Sequence, residues 1–312
     1  MAIKKIKKLN KKDTGIAGGK GASLGEMVNL GIPVPKGFVI LAETFDEFLK
    51  DTDLFQEIES GLDQVNYDDI NSVEKCSKTI QALIKEFEIP FHLAEEFLSE
   101  FDKLGARFVA VRSSATAEDS SEASWAGELE SYLNTTREAL LENIRNCWAS
   151  LYTPRAIFYR KEKDLSREYI SVAVVVQEMV EAEISGITFT AHPVTEDPNQ
   201  MIIEAAWGLG EAVVSGAVTP DSYVVDKKTW EILDINVNSQ DRKLVRDENG
   251  GNRRVRVDGE HRYKQILSED QIIELGKLCQ KIEDHYAYPQ DIEWAFRKGE
   301  FYIVQARPIT TL

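Results

Sequence analysis

The chain has 312 residues, 43% hydrophobic and 29% charged, enough for one large or two mid-sized domains with full cores. Its 37 basic residues stand against 53 acidic ones, a net charge of −16, which argues against a general nucleic-acid or anionic-membrane binder. A few local cations with a divalent ion can still outweigh that field at a single site. Cys76, Cys147 and Cys279 are widely spaced, with no Cys-x-x-Cys pair, so neither a zinc site nor a disulfide framework is expected. The N-terminus has no apolar signal core, and the longest apolar run, Val172 to Val176, is too short to span a bilayer. A cytoplasmic protein is expected.

The first twelve residues carry six lysines interrupted by Ile3, Ile6 and Leu9, the pattern of a charged surface element. A glycine-rich segment follows, then a helix-like run from Ala22 to Leu30. Pro33-Val-Pro-Lys-Gly37 turns the chain into the strand Phe38-Val-Ile-Leu41. Residues 46–104 read as helices, with Phe48, Leu49, Leu54, Phe55, Ile58, Ile80, Leu83, Ile84 and Phe87 recurring at helical spacing. Ile89-Pro90 ends one of them, and Ala94 to Leu104 forms another before Gly105. From Phe108 the pattern changes to strand, then to a loop rich in Ser, Thr and Asp. A single helix is expected from Thr136 to Tyr159, and strands with turns over 170–230. The polar stretch 235–266 reads as strand-like, with Asn249-Gly-Gly-Asn252 as a hairpin turn. Ser268, followed by Glu269 and Asp270, is a good helix start for the run to Tyr286. The class is α+β with mixed or antiparallel sheets in two lobes.

Three segments could carry chemistry. Gly15-Ile-Ala-Gly18-Gly19-Lys20-Gly21 enters a helix, and such an N-terminus beside a lysine is a ready anion site. It is not a Walker A loop, because the glycine spacing is short and Gly21 stands where a Ser or Thr is required. The strand Phe108-Val-Ala-Val111 delivers Arg112 into Ser113-Ser114-Ala-Thr116 and on to Ser124-Trp125-Ala126-Gly127. Arg at a strand end can clamp phosphate, and small residues let backbone N–H groups close over an anion. An Arg112 tied to Glu118 or Asp119 explains the same residues. The apolar strand Val172 to Val176 ends in Gln177-Glu178-Met179-Val180, which suits a hinge pairing its backbone with a base edge; a core strand followed by a turn suits it too. His192, in Ala-His-Pro, lacks a visible partner and reads as structural.

The last segment is the most informative: Asp291-Ile-Glu293-Trp-Ala-Phe-Arg297-Lys-Gly299-Glu-Phe-Tyr-Ile-Val-Gln305-Ala-Arg307. Two alternating runs around a glycine read as a β-hairpin. With a three-residue turn, Lys298 to Glu300, Glu293 faces Gln305 and Asp291 faces Arg307; a two-residue turn puts Glu293 and Gln305 on opposite faces. In the first case two carboxylates, an amide and a guanidinium share one surface. That set suits Mg²⁺-bound polyphosphate, the metal taking hard oxygens and the arginine taking phosphate. An ordinary hairpin with a solvated charged face remains the alternative.

Read together, these segments resemble the ATP-grasp ATP-binding domain of the phosphoenolpyruvate synthase, pyruvate phosphate dikinase and rifampin phosphotransferase family. The resemblance rests on GGKGASLGEM (18–27), PVPKGFVI (33–40), VRSSATAEDSSEASWAG (111–127), VVVQEMV (174–180), SGITFTAHPVTEDP (185–198), EAAWGLGEAVVSGAVTPDSY (204–223) and PQDIEW with FYIVQARPIT (289–310). It covers almost the whole chain in the family's order. It implies an N-terminal ATP-grasp lobe over residues 1–190 and a C-terminal lobe with the metal-binding hairpin over 191–312. It further implies that Lys20, Arg112 and Arg307 act on the triphosphate, with Thr116 and Gly127 in the covering loop. Gln177, Glu178, Met179 and Val180 would form the adenine hinge. Glu293 and Gln305 would hold Mg²⁺, with Asp291 nearby. Trp125 and Glu128 depart from the Phe and Gln of the family's loop, so Glu128 is expected to point away from phosphate.

Full-length relatives also carry a swivelling domain whose histidine, in a Gly-Gly-x-x-Ser/Thr-His-Ala setting, accepts the phosphoryl group. His92, His192, His261 and His285 have no such setting. The implied function is therefore an Mg·ATP-binding module or subunit that cleaves ATP to AMP and passes the β-phosphoryl to a histidine on another domain or chain, as in phenylphosphate synthase, and then to a small acceptor. The alternatives are a non-catalytic adenylate-sensing subunit and a direct ADP-forming kinase.

Overall fold

Apolar residues at helical spacing dominate the first half of the chain and apolar residues at strand spacing the second, and the computed structural model follows that division. It describes residues 2–116, 129–163, 170–248 and 251–309. The chain forms two compact units, Met1–Glu26 with Lys36–Met179, and Met27–Pro35 with Val180–Leu312.

The first unit is built on a five-stranded sheet with the spatial order β1 (Ile3–Lys5), β2 (Gly37–Ile40), β5 (Val172–Glu178), β3 (Val109–Ala115) and β4 (Ser131–Thr135), every neighbouring pair antiparallel. All seven residues of β3 are buried, so this strand has cover on both faces. The helices are α1 (Thr14–Asn29), α2 (Ala42–Asp51), α3 (Leu54–Asp63), α4 (Ile70–Glu86), α5 (Phe91–Leu104), α6 (Leu140–Ser150) and α7 (Pro154–Glu162). Both α2 and α6 pack on β5. Trp148 from α6 meets Phe45 and Phe48 from α2 at ring-centroid distances of 5.5 and 4.9 Å. All three side chains are essentially inaccessible, and burying each contributes roughly 1.5–3 kcal/mol.

Two expectations change here. The single helix expected from Thr136 to Tyr159 is two helices. Pro154 cannot donate to α6, so the chain breaks and restarts with Thr153 accepting the Ala156 N–H at 3.2 Å. The helix expected from Ala22 begins at Thr14 and is interrupted at Gly18, whose φ of 68° and ψ of 172° are not helical.

The second unit is built on a six-stranded antiparallel sheet, β13 (Glu300–Pro308), β12 (Gln290–Arg297), β6 (Ile184–Phe189), β7 (Gln200–Trp207), β8 (Asp221–Asp226) and β9 (Ile232–Asn236). A short helix, α8 (Glu211–Val214), follows β7. The helix α9 (Glu269–Tyr286) packs across β7, β8 and β12, burying Ile272, Leu275, Cys279 and Ile282. It starts as expected: Ser268 and Gln271 form a reciprocal capping box. Tyr223, Ile292 and Trp294 are buried in this unit's sheet, while Asp291, Glu293, Gln305 and Arg307 occupy the alternate positions. The polar stretch forms a hairpin, β10 (Arg242–Arg246) with β11 (Asn252–Arg256); Asn249 and Gly250 of its expected turn lie outside the described residues. No described helix is long and apolar enough to cross a membrane.

Candidate functional site

In the first unit the glycine-rich segment is fixed by one serine. A Cβ on Gly18 would come within 2.1 Å of Ser114 Oγ and 2.3 Å of its carbonyl oxygen, so only glycine permits this approach. The Ser114 hydroxyl donates to Ala17 O at 3.0 Å and accepts from the Gly21 N–H at 3.3 Å. The break in α1 is thus held against β3, with Lys20 in the turn where the helix resumes. Lys20 lies close enough to β3 and α6 for its charge to act on Cys147. Burial pushes that thiol up to about 12, while a hydrogen bond from Ser113 and the Lys20 charge oppose the rise.

Arg112 is the fourth residue of β3, 8% exposed, in register with Ser131 of β4 and Val175 of β5. Thr116 follows the strand end and is tied to Ser171: its N–H and its hydroxyl both donate to Ser171 O, at 3.0 and 3.2 Å. Gly127 and Glu128 lie outside the described residues. At the end of β5, the Glu178 N–H donates to Lys36 O at 2.8 Å and the Met179 N–H to Phe108 O at 3.1 Å. Gln177 is buried. The Val180 N–H, the first of the second unit, has no hydrogen bond among the described residues.

The second unit carries the hairpin, and its turn corrects the sequence reading. Arg297 pairs with Glu300, so the turn has two residues, Lys298 and Gly299, with φ of 51° and 84°. That alone would separate Glu293 from Gln305. The register shifts between Glu293 and Trp294, because Trp294 pairs with Ile303 and Glu293 with Gln305, leaving Val304 as the extra residue of a β-bulge. Glu293 therefore faces Gln305 and Asp291 faces Arg307, as a three-residue turn would also have given.

Side-chain contacts follow this register. Gln305 Nε2 donates to Glu293 Oε1 at 3.2 Å, so its amide oxygen points away from that carboxylate. Arg307 Nε donates to Asp291 Oδ2 at 2.8 Å, with a second guanidinium nitrogen at 2.7 Å. Asp291 Oδ1 is buried and has no hydrogen-bond partner among the described residues. Burial raises the Asp291 pKa, the Arg307 charge and hydrogen bond oppose the rise, and Glu293 adds to it.

One further carboxylate shares this face. Gln305, Glu293, Ile187 and Glu204 are successive cross-strand partners over β13, β12, β6 and β7. At about 4.8 Å per strand, Glu204 stands roughly two strands from Glu293. Burial and then the Asp291 charge raise its pKa. Its only trace in the sequence was a lone charge inside an apolar strand. His192, by contrast, accepts the N–H groups of Val194 and Thr195 at Nδ1, both at 3.2 Å, and caps its own turn.

The hairpin face fits a hard divalent cation. It offers carboxylate and amide oxygens, one of them buried and without a partner among the described residues, on a surface where carboxylates repel one another. No group of three or more His, Cys, Asp or Glu residues able to hold a metal occurs among the described residues.

Helices with antiparallel sheets and a polar hairpin face define an α+β domain of the ATP-grasp kind. The family model described as "Pyruvate phosphate dikinase, AMP/ATP-binding domain" matches residues 14–312, and the chain belongs to that family. It is similar to a probable phosphoenolpyruvate synthase of Methanocaldococcus jannaschii, 46% identical over 98% of this chain and 26% of that protein. It is 41% identical to a phosphoenolpyruvate synthase of Pyrococcus furiosus, over 99% of this chain and 44% of the relative. A rifampicin phosphotransferase of Bacillus subtilis is 36% identical over 98% of this chain and 36% of its own length. The chain thus spans less than half the length of these relatives, and it corresponds to the ATP-binding domain of phosphotransferases of this type.

Proposed function

We propose that the chain binds Mg·ATP and prepares its polyphosphate for transfer to a histidine carried by another domain or chain. In this reading ATP is cleaved to AMP, the β-phosphoryl passes through the histidine to a small acceptor, and the γ-phosphoryl is released to water as inorganic phosphate. The observation that carries the proposal is the cross-strand pairing of Asp291 with Arg307 and of Glu293 with Gln305 on one face. Residues 1–190 serve as the lobe that supplies Lys20, Arg112, Thr116, Gly127 and most of the adenine hinge. Residues 191–312 serve as the metal lobe.

Each residue has a role its chemistry supports. Arg307 binds phosphate oxygens, and its bond to Asp291 fixes the guanidinium before the nucleotide arrives. Lys20 and Arg112 place charge where the polyphosphate develops it, since phosphoryl transfer is catalysed by positioning and electrostatics rather than covalent chemistry. Glu293 and Gln305 hold Mg²⁺, which when bound neutralises phosphate charge. In the hinge the Glu178 and Met179 N–H groups are already engaged, which leaves the Val180 N–H as the donor for an adenine ring nitrogen. The relatives named phosphoenolpyruvate synthase and rifampicin phosphotransferase support a phosphotransferase over a sensor. Calorimetric titration with ATP, with and without Mg²⁺, tests the reading. Metal-dependent binding is expected, and absence of binding would overturn it.

A further inference from the structure

Immediately after the hinge, Val180 O accepts the Ala182 N–H at 2.9 Å. This closes a three-residue turn centred on Glu181. The Glu181 side chain is held from two separate strands. Its Oε1 accepts from Arg246 Nη2 of β10 at 2.7 Å, and its Oε2 accepts from Arg297 Nη2 at the end of β12 at 3.1 Å. The next residues are anchored too: the Glu183 N–H donates to Phe296 O at 3.0 Å, and the Gly208 N–H donates to Glu183 O at 2.9 Å. Two strands distant in sequence therefore converge on Glu181, the residue that follows Val180 and carries the turn closed by the Val180 carbonyl.

The geometry points to Glu181 as a positioning residue for the nucleobase. The two guanidinium groups fix its carboxylate, the carboxylate fixes the turn, and the turn holds the Val180 N–H where an adenine ring nitrogen can accept it. This rests on the Mg·ATP reading above and adds a residue to it that touches no part of the nucleotide. A single exposed ion pair contributes little, but one carboxylate shared by two arginines forms a network and restrains its backbone more firmly. The effect falls on base recognition more than on the polyphosphate, because Glu181 adjoins Val180 in the chain and meets the hairpin only at Arg297, four residues along β12 from Glu293.

The test compares the full chain with Glu181→Gln, Glu181→Ala and Arg246→Gln, using calorimetry with Mg·ATP and separately with Mg·tripolyphosphate, which has no base. Arg137→Gln, which removes the exposed pair with Asp102, is the control for loss of a surface ion pair as such. The expected result is a loss of Mg·ATP affinity of about three- to fivefold in each Glu181 variant, the range a surface network supports. Arg246→Gln should fall between these variants and the wild type, Mg·tripolyphosphate affinity should not change, and the control should match the wild type. Unchanged ATP affinity in the Glu181 variants, or equal losses for both ligands, would overturn the inference while leaving the Mg·ATP reading intact. A wild-type chain that binds tripolyphosphate but shows no gain from the adenosine moiety would overturn both the hinge and this role.

Discussion

Glu293 stands directly across from Gln305 although only two residues turn the chain between their strands, because Val304 bulges out of β13 and restores the pairing. Side chains alternate along a strand, so a slip of one residue would carry Gln305 and Arg307 to the opposite face. The shared polar face of Asp291, Glu293, Gln305 and Arg307 thus depends on a bulge several residues away from the turn.

The turn itself gives the first prediction. Lys298 and Gly299 both have positive φ, the geometry in which Asn-Gly is favoured and a branched side chain is strained. Lys298→Asn should stabilise the protein by a few tenths to about 1 kcal/mol, and Gly299→Val should cost about 1–2 kcal/mol. Thermal unfolding of the two variants checks the order. A stabilising valine would contradict the assigned turn.

Arg307→Ala should weaken Mg·ATP binding by about 1.5–3 kcal/mol, the worth of a hydrogen bond to a charged group, whereas Lys264→Ala should leave it nearly unchanged. Arg307 also balances Asp291, so its removal leaves a largely buried carboxylate without its partner. Equal affinities of the two variants in calorimetry would remove Arg307 from the nucleotide site.

Glu293→Ala should impair Mg²⁺-dependent turnover in a reconstituted assay while leaving the fold nearly intact. The reason is that its side chain contributes to the polar face and not to the core beneath α9. Raised Mg²⁺ should restore part of the activity if the carboxylate sets metal affinity. Full activity at low Mg²⁺ would show that the hairpin is not the metal platform.

The hairpin and its glycine turn were legible because alternation and glycine are local signals; its register was not, because the pairing of Glu293 with Gln305 comes from the bulge at Val304 and not from the turn length. The capping box of α9 was legible for the same reason. Glu204 was not, because its place on the same face, two strands from Glu293, depends on β6 lying between β12 and β7, a pairing that no local pattern encodes. The early start of α1 was hidden by its glycines, which oppose helix formation. Its packing against Ser114 overrides that preference. The break before Pro154 was present in the sequence as a Thr-Pro cap, and the helical periodicity running through it masked the signal.

The acidic face also sets a pH dependence. The folded-state pKa values of Asp291 and Glu204 are raised, in both cases first by burial. At these two groups the folded protein therefore binds more protons than the unfolded chain between the ordinary carboxylate range and the raised values. Their contribution to stability falls as pH rises through that window, and its cost is complete above it. Without metal, Glu204→Gln should melt above the wild type at neutral pH and level with it near pH 4. Thermal melts in chelator at the two pH values check this, and a variant that melts lower at neutral pH would contradict the repulsion.

We propose that this chain prepares ATP for AMP-forming transfer to a histidine supplied by another domain or chain. Chromatography of nucleotides, from the chain alone and then with a histidine-bearing partner, tests it most directly. The chain alone should turn ATP over very slowly, because water lacks the positioning that makes transfer an effectively intramolecular step. Addition of the partner should produce AMP. Rapid ADP formation by the isolated chain would contradict the account in favour of a direct kinase, and tight ATP binding with no turnover under any partner would contradict it in favour of a sensor.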